Sequence, residues 1–118
     1  MPGTTAIDGL TITRHETNPE SDDEKGKKGE YRAHIEGVSA IGRLTWVERN
    51  GARVAEHTLV PREIGGRGVA ANLVDALVAD ARQHGFKIVP QCSYVAKKFD
   101  QNQQWADLRA QSGAQSET

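Results

Sequence analysis

The segment from His57 to Leu73, HTLVPREIGGRGVAANL, constrains the fold of this chain more than any other. A β-type run ends at Pro61, a loop carrying Gly65, Gly66 and Gly68 follows, and an apolar-periodic helix opens directly behind it. Glycine lets the backbone approach an anion closely, and a helix start presents unpaired N–H groups with partial positive charge. A strand, a glycine-rich turn and a helix start in that order make a cradle for a phosphate. The helix then needs a sheet on which to lay its apolar stripe.

That stripe is clear. Between Gly68 and His84, Val69, Leu73, Leu77 and Ala81 recur at intervals of four, flanked by Ala70, Val74 and Val78, and Gly85 supplies the expected stop. Alternation predicts strands on either side. The first covers Leu10–Thr17, the second Tyr31–Ile35, the third Ser39–Glu48, and the fourth Arg53–Val60 after a hairpin turn at Asn50-Gly51. In the fourth, Val54, Glu56, Thr58 and Val60 fall on one face and Ala55, His57 and Leu59 on the other. A polar group on each face predicts a bulge or a ligand-facing side. A fifth strand, Phe86–Val89, closes at Pro90. It is expected to lie parallel to the fourth, joined by a right-handed crossover. Ser93–Asp100 reads as a short helix with Val95 and Phe99 inward, and Gln103–Leu108 as one more turn with Trp105 and Leu108 inward. Trp46 reads as core, or as an aromatic on the sheet face. Asn18–Glu30 is charged and nearly free of apolar side chains, which predicts a mobile loop, and Gln111–Thr118 a disordered tail. The expected fold is α/β of the α+β kind: a mixed, mostly antiparallel five-stranded sheet with one parallel crossover and two or three helices.

Composition narrows the function. The 118 residues fit one domain, long enough to bury roughly two-thirds of its unfolded surface. Fifteen basic against sixteen acidic residues argue against a dedicated nucleic-acid or membrane-surface binder. A single cysteine, Cys92, forms no internal disulfide. No apolar run approaches the ~20 residues that span a bilayer, and the first residues lack a basic-then-apolar leader, so a cytoplasmic protein is expected, a monomer or weak dimer with no metal site. The glycine loop lacks the lysine and hydroxyl of a P-loop, and no G-x-G-x-x-G follows the first strand, which disfavours nucleoside-triphosphate and nicotinamide sites.

A second segment, Ile88-Val89-Pro90-Gln91-Cys92-Ser93-Tyr94-Val95, follows the loop about twenty residues on, with Trp105 beyond it. Together with His57-Thr58 before Val60 and with Gly66-Arg67-Gly68-Val69-Ala70 and Leu73, it resembles the GNAT superfamily of acyl-CoA-dependent N-acyltransferases. Within that superfamily it is similar to the compact single-domain branch called YjdJ-type. The superfamily loop usually begins with Arg or Gln where this chain has Gly65.

The resemblance implies acetyl-CoA as the acyl donor and an amine, free or on a protein or peptide, as acceptor. It implies that the fourth and fifth strands splay and that Thr58, Leu59 and Val60 line the pantetheine arm of coenzyme A. Backbone N–H groups from Gly65, Gly66, Arg67, Gly68, Val69 and Ala70 would hold the pyrophosphate, with Arg62 and Arg67 adding charge and Lys98 near the nucleotide. By the same analogy a backbone N–H near Leu59 serves the carbonyl oxygen. The residues themselves leave proton handling open. His57 is a base near neutral pH or an ordinary strand histidine. Cys92, just before a helix start, is an acyl-carrying nucleophile, a proton donor or a small buried hydrophobe. Tyr94 is an acid for the leaving sulfur or a packing residue. A coenzyme A-binding module without catalysis and a Cys-dependent acyl-CoA hydrolase stand as alternatives.

Overall fold

The computed structural model describes residues 9–17, 27–65 and 68–110. Its elements run β1 (Leu10–Thr17), β2 (Lys28–Ile35), β3 (Val38–Arg49), β4 (Ala52–Leu59), a 3-10 turn (Arg62–Ile64), α1 (Val69–His84), β5 (Lys87–Pro90), α2 (Ser93–Gln101) and a 3-10 segment (Gln103–Leu108). The strands form one sheet in the order β1-β2-β3-β4-β5. The first three pairings are antiparallel and β4–β5 is parallel. Short links allow antiparallel neighbours, whereas a parallel pair needs a long crossover, here α1. Asn50 (φ 54°) and Gly51 (φ 81°) both adopt the positive φ that a two-residue hairpin demands.

One core joins the layers. Helix α1 lays Val69, Leu73, Val74, Leu77, Val78 and Ala81 on the sheet face that carries Tyr31, Ala33, Leu44, Trp46 and Ala55. Val95 and Phe99 of α2 and Leu108 complete the cluster, and Trp105 meets Phe99 edge to face at 5.3 Å. Each large apolar side chain buried there contributes on the order of 2 kcal/mol. Trp46 is a core residue, 3% exposed.

Two features depart from the sequence reading. Strand β2 begins at Lys28, so Lys28–Glu30 belong to the sheet and not to the charged connector. The alternation is hidden because its inward position is Gly29, which pairs with Glu16 on one side and Trp46 on the other. The Trp46 indole fills the space a side chain would need: a Cβ on Gly29 would sit 2.8 Å from the ring and 2.3 Å from the His15 carbonyl oxygen. Residues 18–26 of the expected mobile loop, and the expected tail 111–118, lie outside the described residues.

The second departure is the grouping of faces in β4, which a bulge, one of the two expected readings of its mixed polarity, reverses. Thr45 pairs with His57 and Trp46 with Ala55, so Glu56 is an extra residue. Cross-strand partners share a face of the sheet. Ala55 and Thr58, opposite Trp46 and Leu44, therefore face the helices, while Val54 and His57, opposite Val47 and Thr45, face away. The grouping of Val54 with Thr58 on one face is broken at Glu56, since one inserted residue reverses a period of two.

Pairing of β4 with β5 stops at Ala55 and Pro90. The chain turns there into α2, and the Cys92 N–H donates to the Ala55 carbonyl at 2.9 Å. On the other flank of β5, Arg109 bridges Ile88, and the Ala110 N–H donates to the Ile88 carbonyl at 2.8 Å. No helix among the described residues is long and apolar enough to cross a membrane.

Candidate active site

Where β5 ends, the edge of β4 from Glu56 to Leu59 makes no ladder with β5, and α2 begins beside it. Cys92 caps that helix in extended conformation, half-buried. Its Sγ lies 3.5 Å from the Thr58 Oγ1. Burial pushes the thiol up. The Thr58 hydroxyl and the backbone N–H groups of Val95, Tyr94 and Thr58 outweigh it and hold Cys92 below the ordinary thiol range. Two of those amides belong to the first turn of α2, so the positive end of the helix favours the thiolate, although the Cys92 side chain makes no capping hydrogen bond.

Tyr94 is half-buried on the first turn of α2. Burial, and then the charge of Asp75, push its phenol above the usual range, so it keeps its proton near neutral pH. Asp75, on α1, is itself raised by burial, opposed by Lys98. The Lys98 Nζ lies 5.7 Å from the centre of the Tyr94 ring. Asp75, Tyr94 and Lys98 thus form one group across α1 and α2. Asp75 escaped the sequence reading, although an acid inside the apolar run Leu73-Val74-Asp75-Ala76-Leu77 is its signal.

At the start of α1, Gly68 caps the helix in the left-handed region (φ 84°), with no side-chain cap. Only glycine takes that conformation without strain. Gly65 is extended and exposed (φ −73°), and Arg62 is exposed on the 3-10 turn that buried Ile64 anchors. Gly66 and Arg67 lie outside the described residues. Val69 puts its side chain in the core, Ala70 and Val60 are half-buried, and Leu59 is 59% exposed at the end of β4. The structure brings Thr58, Cys92 and Tyr94 to one place. It does not bring His57 there, because the bulge turns it, exposed, to the opposite face of the sheet.

A sequence-family model described as GCN5-related N-acetyl-transferase matches residues 30–108, more than half of the chain. The chain belongs to that family. The match runs from the third residue of β2 to the end of the 3-10 segment, and it includes the open β4 edge, the start of α1 and Cys92. Membership gives this GCN5-related domain a general acetyltransferase function, in a family that uses acetyl-CoA.

The same acetyltransferase domain carries a second polar cluster, at the far end of α1, that sequence reasoning missed. Asp80 is buried, 7% exposed, three residues after Leu77 on the apolar stripe. Its Oδ2 accepts from the Arg14 Nε at 2.9 Å and the Tyr31 hydroxyl at 2.8 Å, with the Arg53 Nη1 at 3.9 Å. Arg53 in turn donates to the Tyr31 oxygen at 2.7 Å. Burial opposes the charge on Asp80, but these donors prevail and hold it below the usual carboxylate range. Among the described residues, no group of three or more His, Cys, Asp or Glu is placed to hold a metal ion.

Proposed function

We propose that this protein is a compact, single-domain acetyltransferase of the YjdJ-type branch. It moves an acetyl group from acetyl-CoA to an amine through the slot between β4 and α2, with Cys92 carrying the acyl group. The observation behind this reading is the place of the Cys92 sulfur, at the start of α2 and 3.5 Å from the Thr58 hydroxyl on the open edge of β4, in surroundings that hold the thiol below its ordinary range and so favour thiolate, the nucleophilic form.

The residues fit coenzyme A at two points. The β4 edge from Glu56 to Leu59 can pair with an extended amide-bearing arm as an added strand would, so Thr58, Leu59 and Val60 line it. The uncapped start of α1 behind Gly68 suits the pyrophosphate, held by backbone N–H groups from Gly65 to Ala70, with Arg62 and Arg67 supplying charge. Gly65, extended and open, contributes no side chain to that loop, so phosphate binding rests on backbone amides. Lys98 belongs with Tyr94 and Asp75, where it screens the carboxylate.

Acetyl-CoA supplies an activated acyl thioester. Cys92 Sγ bonds to the acyl carbon as the thioester C–S bond breaks, and the Tyr94 hydroxyl gives its proton to the departing sulfur. A backbone N–H near Leu59 donates to the carbonyl oxygen as charge builds on it. The neutral acceptor amine then displaces Cys92, and its proton returns to Tyr94. His57, on the far face, has no part in these steps. Only residues 18–27 separate β1 from β2, too few for the helix pair that larger relatives insert there. An amine on a peptide or protein fits so open an acceptor side.

Intact-mass analysis after mixing with acetyl-CoA tests the reading. It expects an adduct of about 42 Da, one acetyl group, absent from Cys92→Ala and discharged by an amine panel. Amine-dependent release of coenzyme A with no adduct would remove Cys92 as nucleophile. Release without any amine would make the protein an acyl-CoA hydrolase, and binding without turnover a coenzyme A-binding module. Gly68→Glu, which puts a side chain and a negative charge at the cradle, is expected to abolish coenzyme A binding in a thermal-shift titration.

A further inference from the structure

The cluster around Asp80 forms the floor of an open cleft of about 260 Å³, lined by Arg14, His15, Glu16, Arg53 and His84 above the buried Tyr31 and Trp46. This is just below the few hundred Å³ typical of small-molecule sites. It stands apart from the acyl-transfer slot. Arg53 precedes Thr58 by five residues of β4, roughly 17 Å along a strand.

The two arginines are held but not used up. Asp80 engages Arg14 through Nε, and among the described residues the two terminal nitrogens of Arg14 make no hydrogen bond. Arg53 spends Nη1 on Tyr31. Its guanidinium lies 3.9 Å from the Trp46 ring centre and 4.3 Å from that of Phe86, which fixes its plane. Donors already ordered by aromatic stacking and a buried carboxylate lose little further freedom when a ligand arrives. Asp80 is the counter-charge below, with its Oδ2 already satisfied by two donors. At the mouth, Glu16 is exposed and opposes a purely anionic guest.

We propose that this cleft is a second ligand site, separate from the acetyltransferase centre. It takes a small carboxylate, gripped by the terminal nitrogens of Arg14 and assisted by Arg53. The planar guanidinium fork matches a carboxylate bidentately. The site follows from this cluster alone and does not depend on Cys92 or on coenzyme A.

The experiment follows the arginine Nε–H resonances of the full chain during titration with benzoate, and separately with inorganic phosphate. Benzoate is expected to shift Arg14 and Arg53 saturably, with half-saturation at millimolar concentration, while coenzyme A at the same concentration leaves them in place. Arg14→Gln, at a half-exposed position, is expected to weaken benzoate binding at least tenfold. Glu16→Gln, which removes the opposing charge, should tighten it several-fold. Phosphate binding as tightly as benzoate would overturn the carboxylate assignment. The absence of a saturable shift up to about 10 mM benzoate, or an Arg14→Gln protein that binds it equally well, would overturn the site. The Glu16→Gln arm stands even where Arg14→Gln fails to fold, and looser benzoate binding there would overturn the placement of the carboxylate in this cleft.

Discussion

Thr58 acts on Cys92 through one hydroxyl. It is the side-chain member of the donor set that keeps the thiol below its ordinary value of about 8.5 against the opposing effect of burial. Thr58→Val keeps the shape and removes that donor. The thiol pKa of the variant is therefore expected to rise, so at pH 7 a smaller fraction is thiolate and alkylation by iodoacetamide is slower. The pH dependence of the alkylation rate reads this directly, and an unmoved midpoint would show that Thr58 does not hold the sulfur. The place of Cys92 before a helix start was legible from the sequence, and so was the phenol two residues on. The partner was not, because the choice between His57 and Thr58 depends on a bulge. An unbroken ladder would have set Glu56 opposite Thr45 and His57 opposite Leu44, and turned Thr58 outward. The mixed polarity of both faces hinted at the bulge without locating it.

Among the elements, β2 is the one held by its absent side chain. Gly29→Ala puts a methyl 2.8 Å from the Trp46 ring and 2.3 Å from the His15 carbonyl oxygen, a contact that flexible side-chain motion cannot relieve. Overpacking of a fixed site costs about 1–3 kcal/mol or more. The midpoint of urea unfolding is expected to fall accordingly, whereas Gly37→Ala, with open space around it, carries only the strain of its positive φ. Most elements were readable from alternation and punctuation. Helix α1 ends between Gly68 and Gly85 as its apolar stripe predicts, and the parallel β4–β5 pair follows from the helix between them. The start of β2 was not readable, since a glycine in the inward position erases the pattern that marks a strand. The Asp80 cluster was hidden for a related reason: an acid on an apolar stripe shows that partners exist but not that they come from three strands distant in sequence.

At the scale of the whole molecule, that cluster ties the sheet to α1. Arg14, Tyr31 and Arg53 reach Asp80 from β1, β2 and β4. A carboxylate held below its unfolded value contributes stability that is present above about pH 4 and is lost as pH falls through its folded value. Asp80→Asn is thus expected to lower the thermal midpoint at pH 7 and to flatten the loss of stability as pH falls below about 4 relative to the parent chain. Parallel curves for the two proteins across that interval would place the acid sensitivity elsewhere. The flanks of the sheet have a further consequence. Backbone from Arg109 and Ala110 already occupies Ile88 on the β5 side, whereas β1 offers a full-length rim with no neighbour among the described residues. Of the two borders of the sheet, it is therefore β1 whose backbone is left, among the described residues, to accept a further strand.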